Sequence, residues 1–179
     1  MTTRPLGIAA LVGFLLCIPF ANWLIGNVGT VCVPQGPCLV PVLPGMLAPS
    51  GVLAAGAALV LRDVVQRCLG AGWGFAAIVV GSALSAFLAP PALVAASALA
   101  FLLSEIADFA IYTPLQRRRL LLAVLLSSGV GLVIDSLVFL HFAFGSLDHL
   151  TGQIVGKAWA VLFSVPLIRV LRRVAPTPA

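Results

Sequence analysis

Long apolar segments separated by short polar ones make up almost the whole chain. A helix that crosses a membrane needs about 20 mostly apolar residues. Six segments reach that length, at about 5–24, 46–66, 72–89, 91–113, 120–143 and 152–171. We expect them to form a single six-helix transmembrane domain over residues 1–179. The first segment lacks a clear small-x-small cleavage site, so we interpret it as a retained helix and not as a signal peptide.

The second segment is the least regular of the six. Pro41, Pro44 and Pro49 precede or interrupt it, and Arg62 and Asp63 lie near its end. Proline removes a helix donor, and its ring clashes with the preceding turn. The pattern therefore predicts an unwound or re-entrant entry to the second helix. We interpret Arg62 and Asp63 either as a solvated pair at the inner end of this helix or as a gate on the cytoplasmic side.

The composition agrees with a membrane protein. The chain is 61% hydrophobic and 8% charged, whereas soluble domains carry about 25% charged residues. We therefore expect an all-α polytopic membrane protein that is embedded in a lipid bilayer. A net charge of +5 would favour nucleic acid in a soluble protein, but nine of the ten basic residues are arginines clustered at segment ends. That clustering is typical of topology signals, so we expect no nucleic-acid partner.

The arginines also predict the orientation of the helices. They fall at every second boundary between segments, and the intervening loops at about 25–45, 89–91 and 144–151 contain no Lys or Arg. Positive residues stay on the cytoplasmic side of a membrane. Six helices with both termini in the cytoplasm are therefore expected.

Carboxylates inside the apolar segments are the candidate functional residues. A carboxylate in hydrocarbon costs several kcal/mol, so such groups usually face a polar cavity. Phe101, Glu105, Asp108 and Tyr112 are spaced 4, 3 and 4 residues apart and therefore share one face of the fourth helix. At 1.5 Å per residue, Glu105 lies about 12 Å from the cytoplasmic end, near the membrane midplane. Aromatic rings beside carboxylates suit a planar ligand that donates hydrogen bonds.

The two acidic side chains on this face of the fourth helix need a partner. Glu105 and Asp108 lie one helical turn apart and repel when both are ionised. Lys157 is expected to be the basic residue deep in a span, and it cannot neutralise every acid. We therefore expect a ligand, a proton or water to complete the site. For Asp108, contact with an arginine at the inner surface is the alternative.

A second polar group is predicted on the fifth and sixth helices. Ser128 and Asp135 are seven residues apart on one face, and Gln153 and Lys157 are spaced i, i+4 at a similar depth. These residues are candidates for substrate binding, as is Asn22 at the outer end of the first helix. An Asp135–Lys157 ion pair with a structural role is the alternative interpretation.

The cysteines and glycines support less specific predictions. Cys32 and Cys38 bracket a PQGP turn on the outer side and form either a disulfide or two unpaired thiols. No zinc-like spacing links the cysteines and histidines, and we expect neither a metal nor a cofactor. The glycine pairs 70/74 and 152/156 have GxxxG spacing, which favours packing within the bundle or, as the alternative, a homodimer interface.

The segments SEIADFAIYTPLQRR, SSGVGLVIDSLVF and AFGS, together with the earlier RDVVQ, resemble the vitamin uptake transporter family. The best-known members of that family are queuosine-precursor transporters. Over residues 45–170, the resemblance implies a six-helix importer of 7-deazaguanines such as preQ0, preQ1 or queuine in the bacterial inner membrane. The positions that match the family motifs are Ser104, Glu105, Asp108, Tyr112, Ser128, Asp135, Ser136 and Asp63. Gln66 departs from the family pattern, because many relatives carry Glu there.

The chemistry of a guanine-like base agrees with this resemblance. Its N1–H and exocyclic amine are two parallel donors, and one carboxylate accepts both. We assign that role to Glu105 as a hypothesis, with Phe101 or Tyr112 stacking on the base. Energy would come from protons through Asp108 or Asp135, or uptake would be facilitated.

Two other functional classes remain open alternatives. The first is the substrate-binding subunit of an energy-coupling-factor type vitamin importer, which would rely on a separate ATPase. The second is a membrane protein that does not transport. An enzyme is not expected, because the sequence contains no nucleophile–base motif, and no phosphate-binding loop is present.

Overall fold

The computed structural model describes residues 3–33, 37–89 and 93–174 and is mostly helical. Within those residues the helices are α1 (Arg4–Asn27), α2 (Val52–Leu69), α3 (Ala71–Leu88), α4 (Val94–Leu115), α5 (Leu120–Phe144) and α6 (Leu150–Val174). Three short strands lie between α1 and α2, namely β1 (Val31–Cys32), β2 (Cys38–Leu43) and β3 (Met46–Pro49). Helices of 18 to 25 residues are about 27 to 37 Å long and therefore match the thickness of a bilayer core.

Five of the helices are long and apolar enough to cross a membrane, and these are α1, α3, α4, α5 and α6. They expose many large apolar side chains, as expected for surfaces that face lipid. The chain is thus a multi-pass membrane protein by length and composition. The predicted helices coincide with the observed ones to within a few residues, except for the second. The predicted loop at 89–91 and the start of the fourth segment at 91 fall partly on residues 90–92, outside the described residues.

Helix α2 is the interior helix of the bundle. Twelve of its 18 residues are buried, compared with five of 18 in α3. It carries Arg62, Asp63 and Arg67, three charged side chains within 18 residues, and is not among the five helices that are apolar enough to cross a membrane. Gly56 allows α6 to approach closely, because a Cβ atom there would lie 2.7 Å from the carbonyl oxygen of Lys157. A charged helix is tolerated because neighbouring protein, and not lipid, surrounds it.

The strands form an antiparallel sheet with the order β1-β2-β3. Leu43 pairs with Met46 across a tight turn, and Gly45 in that turn has φ +73°. Pro at the second position and Gly at the third are the residues that a type II turn requires, and Pro44–Gly45 supplies both. The predicted helix over 46–66 is therefore wrong at its start, since residues 46–49 form β3 and the helix begins at Val52.

A disulfide joins Cys32 to Cys38 and thereby links β1 to β2. Of the PQGP turn predicted between them, residues 34–36 lie outside the described residues. The sheet is held against the bundle by α6, because the Trp159 indole N–H donates to the carbonyl of Val42 at 3.2 Å. Gly152 lies directly against the backbone of Leu47. The second GxxxG pair is thus used within the bundle, where α6 meets the sheet.

The two ends of the bundle differ in charge. Gly7 of α1 packs against Leu69 at the end of α2, so these helices are antiparallel. At that same end, Arg67 donates to the backbone of Gln116 at 3.1 Å, next to the run of arginines at 117–119. The sheet covers the opposite end, where the chain carries no Lys or Arg in its loops. We call these the arginine end and the sheet end.

Candidate functional site

An open cavity lies in the sheet-end half of the bundle. The empty space in it and its mouth, open solvent included, is about 610 Å³. All six helices contribute to its walls, and Pro49 and Gly51 line it between the sheet and α2. Its polar and aromatic lining residues are Asn22, Ser85, Ser97, Phe101, Asp135, Phe139, Gln153 and Lys157.

One ion pair supplies the charge in this cavity. Lys157 on α6 pairs with Asp135 on α5 and also donates to Ser136 at 2.9 Å and to Gln153 at 2.6 Å. The ammonium thus uses all three of its donors within the protein. The side chain of Lys157 is only 2% exposed, whereas that of Asp135 is 19% exposed. The cavity therefore presents a carboxylate to a ligand and keeps the ammonium behind it.

Aromatic side chains also line the cavity. Phe101 on α4 lines the cavity and packs against Phe14, with ring centroids 5.8 Å apart. Phe139 on α5 also lines the cavity. Asn22 lines it from α1, where its amide donates to the carbonyl of Ile18 at 3.0 Å. Apolar walls with a few polar groups are the usual composition of a small-molecule site.

A second polar group, centred on Arg62, lies deeper in the bundle. Its guanidinium contacts Asp63 at 2.8 Å, Glu105 at 2.9 Å and Asp108 at 2.5 Å. Nη1 also donates to Gln66 at 3.0 Å. All these side chains are at most 1% exposed. We call Arg62, Asp63, Glu105 and Asp108 the Arg62 cluster. The interpretation of Arg62 and Asp63 as a solvated pair is therefore wrong, because both are buried against α4.

The geometry of arginine explains why one residue can serve three acids. A guanidinium presents five donors in a planar fork, and it stays charged when it is buried. The Arg62 cluster nevertheless contains three acids and one base, so full ionisation would leave a buried excess of negative charge. Among the described residues, Oδ2 of Asp108 has no hydrogen-bond partner. A buried carboxylate oxygen without a partner is costly.

Further side chains extend the Arg62 cluster toward the arginine end. Gln66 accepts from Arg62 and donates to the hydroxyl of Thr113 at 2.9 Å. A glutamate could not donate to Thr113, which gives a physical reason for the amide at this position. Tyr112 lies 1% exposed with its ring 5.7 Å from the guanidinium carbon of Arg62. This ring contact is within the range of cation–π interactions.

The predicted site residues thus divide between two places. The cavity holds Asn22, Phe101, Asp135, Gln153 and Lys157. The Arg62 cluster holds Glu105 and Asp108, with Tyr112 beside it. Two predicted serines are buried outside both groups of contacts: Ser104 donates to its own helix at 3.0 Å, and Ser128 has no hydrogen-bond partner among the described residues.

Sequence reasoning missed the central role of Arg62 and the aromatic wall from Phe139. The expectation that Lys157 is the deep basic residue was incomplete, because Arg62 is 0% exposed in the middle of the bundle. A signal was present, since Arg62 and Gln66 are spaced i, i+4 with Asp63 between them. That spacing places Arg62 and Gln66 on one face of a helix.

Comparison with known families identifies one relationship. A family model described as "Putative vitamin uptake transporter" matches residues 51–179, which is more than two thirds of the chain. The matched range begins just before α2, so it contains both the Arg62 cluster and the Asp135–Lys157 pair. No curated protein and no solved structure matches this chain.

Proposed function

The chain belongs to the vitamin uptake transporter family, and from that premise we propose that it imports a small planar solute across the bacterial inner membrane. The substrate class is a queuosine precursor, a 7-deazaguanine such as preQ0, preQ1 or queuine. The observation that supports this proposal best is the open cavity, which is lined by a partly exposed carboxylate and by aromatic rings. A purine-like base offers donors along one edge and an apolar face, and these match the two kinds of surface.

In this proposal α2 is the sixth spanning helix, although it carries three charged side chains. The arginine end faces the cytoplasm, as positive residues do, and both termini lie there. The sheet end and its disulfide then face the oxidising exterior. The cavity lies in the half of the bundle nearest that side, so we infer that this conformation receives substrate from outside the cell.

Within the cavity, Asp135 is the carboxylate that can meet the base. Its side chain is 19% exposed, and Lys157 pairs with it from the buried side. Phe101 and Phe139 offer faces for stacking. Glu105, to which we assigned the guanine edge on sequence grounds, pairs with Arg62 and is 1% exposed. A contact between Glu105 and the substrate would therefore require the Arg62 pair to open during transport.

A binding screen with matched variants tests the proposal. Purified protein is heated with preQ0, preQ1, queuine, guanine or adenine, since a ligand that binds the native state raises the apparent melting temperature. We expect stabilisation by the deazaguanines, lost in Phe101→Ala and retained in Phe109→Ala. Both phenylalanines are partly buried on α4, but only Phe101 is among the lining residues of the cavity. No shift with any of these bases would contradict the substrate class. Equal loss in both variants would contradict the cavity as the binding site.

Transport and binding are separable outcomes. If the protein binds a base but proteoliposomes do not accumulate or exchange it, the binding-subunit alternative gains support. Copurification with an ATPase from native membranes would then be the expected result.

A further inference from the structure

Two carboxyl groups on different helices meet at the Arg62 guanidinium. Asp63 on α2 lies 2.8 Å from it and Asp108 on α4 lies 2.5 Å from it. Both are essentially inaccessible to solvent, at 1% and 0% exposure. A carboxylate can only accept hydrogen bonds. Contact between two of them is therefore a bond only when one of the two carries a proton.

The surrounding groups cannot neutralise this pair. Arg62 supplies one positive charge to Asp63, Asp108 and Glu105 together. The nearest donor from α5 is the Ser127 hydroxyl, 3.4 Å from Oδ2 of Asp63. Two carboxylates that share a buried site normally retain a proton, because desolvation and mutual repulsion both disfavour full ionisation.

The other charged and titratable groups near the pair lie on four helices, namely α2, α4, α5 and α6. Arg67 on α2 and Tyr112 on α4 lie toward the arginine end. Lys157 on α6 is bound to Asp135 and is not available to the pair. Helix α3 contains no titratable residue. The positive charge that these groups do not supply can therefore come from a proton taken up from outside the protein.

We propose that Asp63 and Asp108 share one proton and that this proton is exchanged with water during transport, which makes uptake proton-coupled. On release, the O–H bond breaks, its electrons stay on the carboxylate, and the proton passes to a water molecule. The location suits such exchange, because the Arg62 cluster lies between the cavity at the sheet end and a small void at the arginine end. Asp63, Arg67 and Tyr112 are among the residues that line that void.

The shared proton can be measured without any substrate. The infrared C=O band of a protonated carboxylic acid is separate from the bands of carboxylates. The chain has only five acidic side chains, so the band can be assigned by substitution. We expect such a band in purified wild type at neutral pH, shifted in deuterated water and lost in Asp63→Asn or Asp108→Asn. The exposed Asp148→Asn is the control and should leave the band unchanged.

Each result of this measurement decides the inference. Absence of the band in wild type overturns it, as does a band that only Glu105→Gln removes. Asp108→Asn is the more tolerant variant, because its amide can donate to Asp63 and preserve the hydrogen bond. Should Asp63→Asn fail to fold, Asp108→Asn and the wild type in deuterated water still give the answer.

Coupling rests on the proposed transport function and is tested separately. Proteoliposomes that enclose a pH-sensitive dye receive preQ0, which has no basic amine that could carry a proton itself. We expect preQ0 uptake to acidify the lumen in wild type, and Asp108→Asn to bind preQ0 without acidification. Uptake without any change in lumenal pH would refute the coupling. Absence of preQ0 uptake would count against the proposed function and leave the infrared result intact.

Discussion

Removal of the Arg62 guanidinium should destabilise the protein more than removal of an exposed arginine. Arg62→Met keeps most of the length and apolar volume of the side chain but leaves three buried acids without their cation. The wild-type side chain makes three ion pairs, at 2.5, 2.8 and 2.9 Å, and one hydrogen bond at 3.0 Å. Each hydrogen bond to a charged group contributes about 1.5–3 kcal/mol, but contributions within one network are not additive.

The expected loss of stability follows from the cost of breaking a buried ion pair. Breaking a buried ion pair on one side costs about 3–5 kcal/mol, because the other charge stays buried. For a chain of this length, 1 kcal/mol shifts the melting temperature by about 2–4 °C. We therefore expect Arg62→Met to melt about 10 °C below wild type. Protonation of the stranded carboxyls should narrow this difference as the pH is lowered.

The assay compares two matched variants. Arg118 is exposed between α4 and α5, so Arg118→Met removes the same charge and should change stability by no more than about 0.5 kcal/mol. The second-site variant Arg62→Met/Glu105→Gln should recover part of the loss, because one stranded acid is gone. Equal melting temperatures for Arg62→Met and Arg118→Met would refute the reasoning, and so would further destabilisation by Glu105→Gln.

Two further predictions concern packing and the outer sheet. Gly56→Ala should destabilise by about 1–3 kcal/mol, because the added Cβ would lie 2.7 Å from the carbonyl oxygen of Lys157; unchanged thermal melting would contradict the close contact of α2 and α6. Cys32→Ser should cost about 2 kcal/mol, since the disulfide to Cys38 closes a short loop. Reductant should lower the melting temperature of wild type toward that of Cys32→Ser without affecting the variant, and a reductant effect of equal size on both would contradict the bond.

The helices could be predicted because membrane spans are governed by length and hydropathy, which are local properties. The Asp135–Lys157 pair could also be predicted, since two opposite charges at one depth in neighbouring helices have few other partners. Both predictions use only the order of residues along the chain. The structure adds that this pair borders an open cavity and exposes its acidic partner more than its basic one.

The sheet was missed for a specific reason. Residues 46–49 are apolar and run directly into the apolar start of α2, so hydropathy merges them with the predicted second helix. Residues 38–43 fall in the predicted outer loop at 25–45. The turn chemistry of Pro44–Gly45 was the signal that could have separated them. The proline-rich stretch was interpreted as an unwound entry to a helix. In the structure Pro41 lies in the middle strand β2 at a register shift, and Pro49 ends the edge strand β3. Strands accept proline at bulges and at edges.

Arg62 was misjudged because its partners lie on another helix. Charges near the end of a span are commonly solvated, and the i, i+4 spacing of Arg62 and Gln66 does not by itself distinguish that case from burial. Its three carboxylate partners include two that are more than 40 positions away. Such partners become visible only when α2 is known to be the interior helix.

Uptake of labelled preQ0 into proteoliposomes is the most direct test of the proposal that the sheet-end cavity carries a 7-deazaguanine into the cell. We expect saturable uptake that unlabelled preQ1 or queuine inhibits, that falls at least tenfold in Phe101→Ala, and that Phe87→Ala, at an exposed position of α3 outside the cavity lining, preserves. Uptake no faster than in protein-free liposomes, or equal uptake by the two variants, would contradict the account.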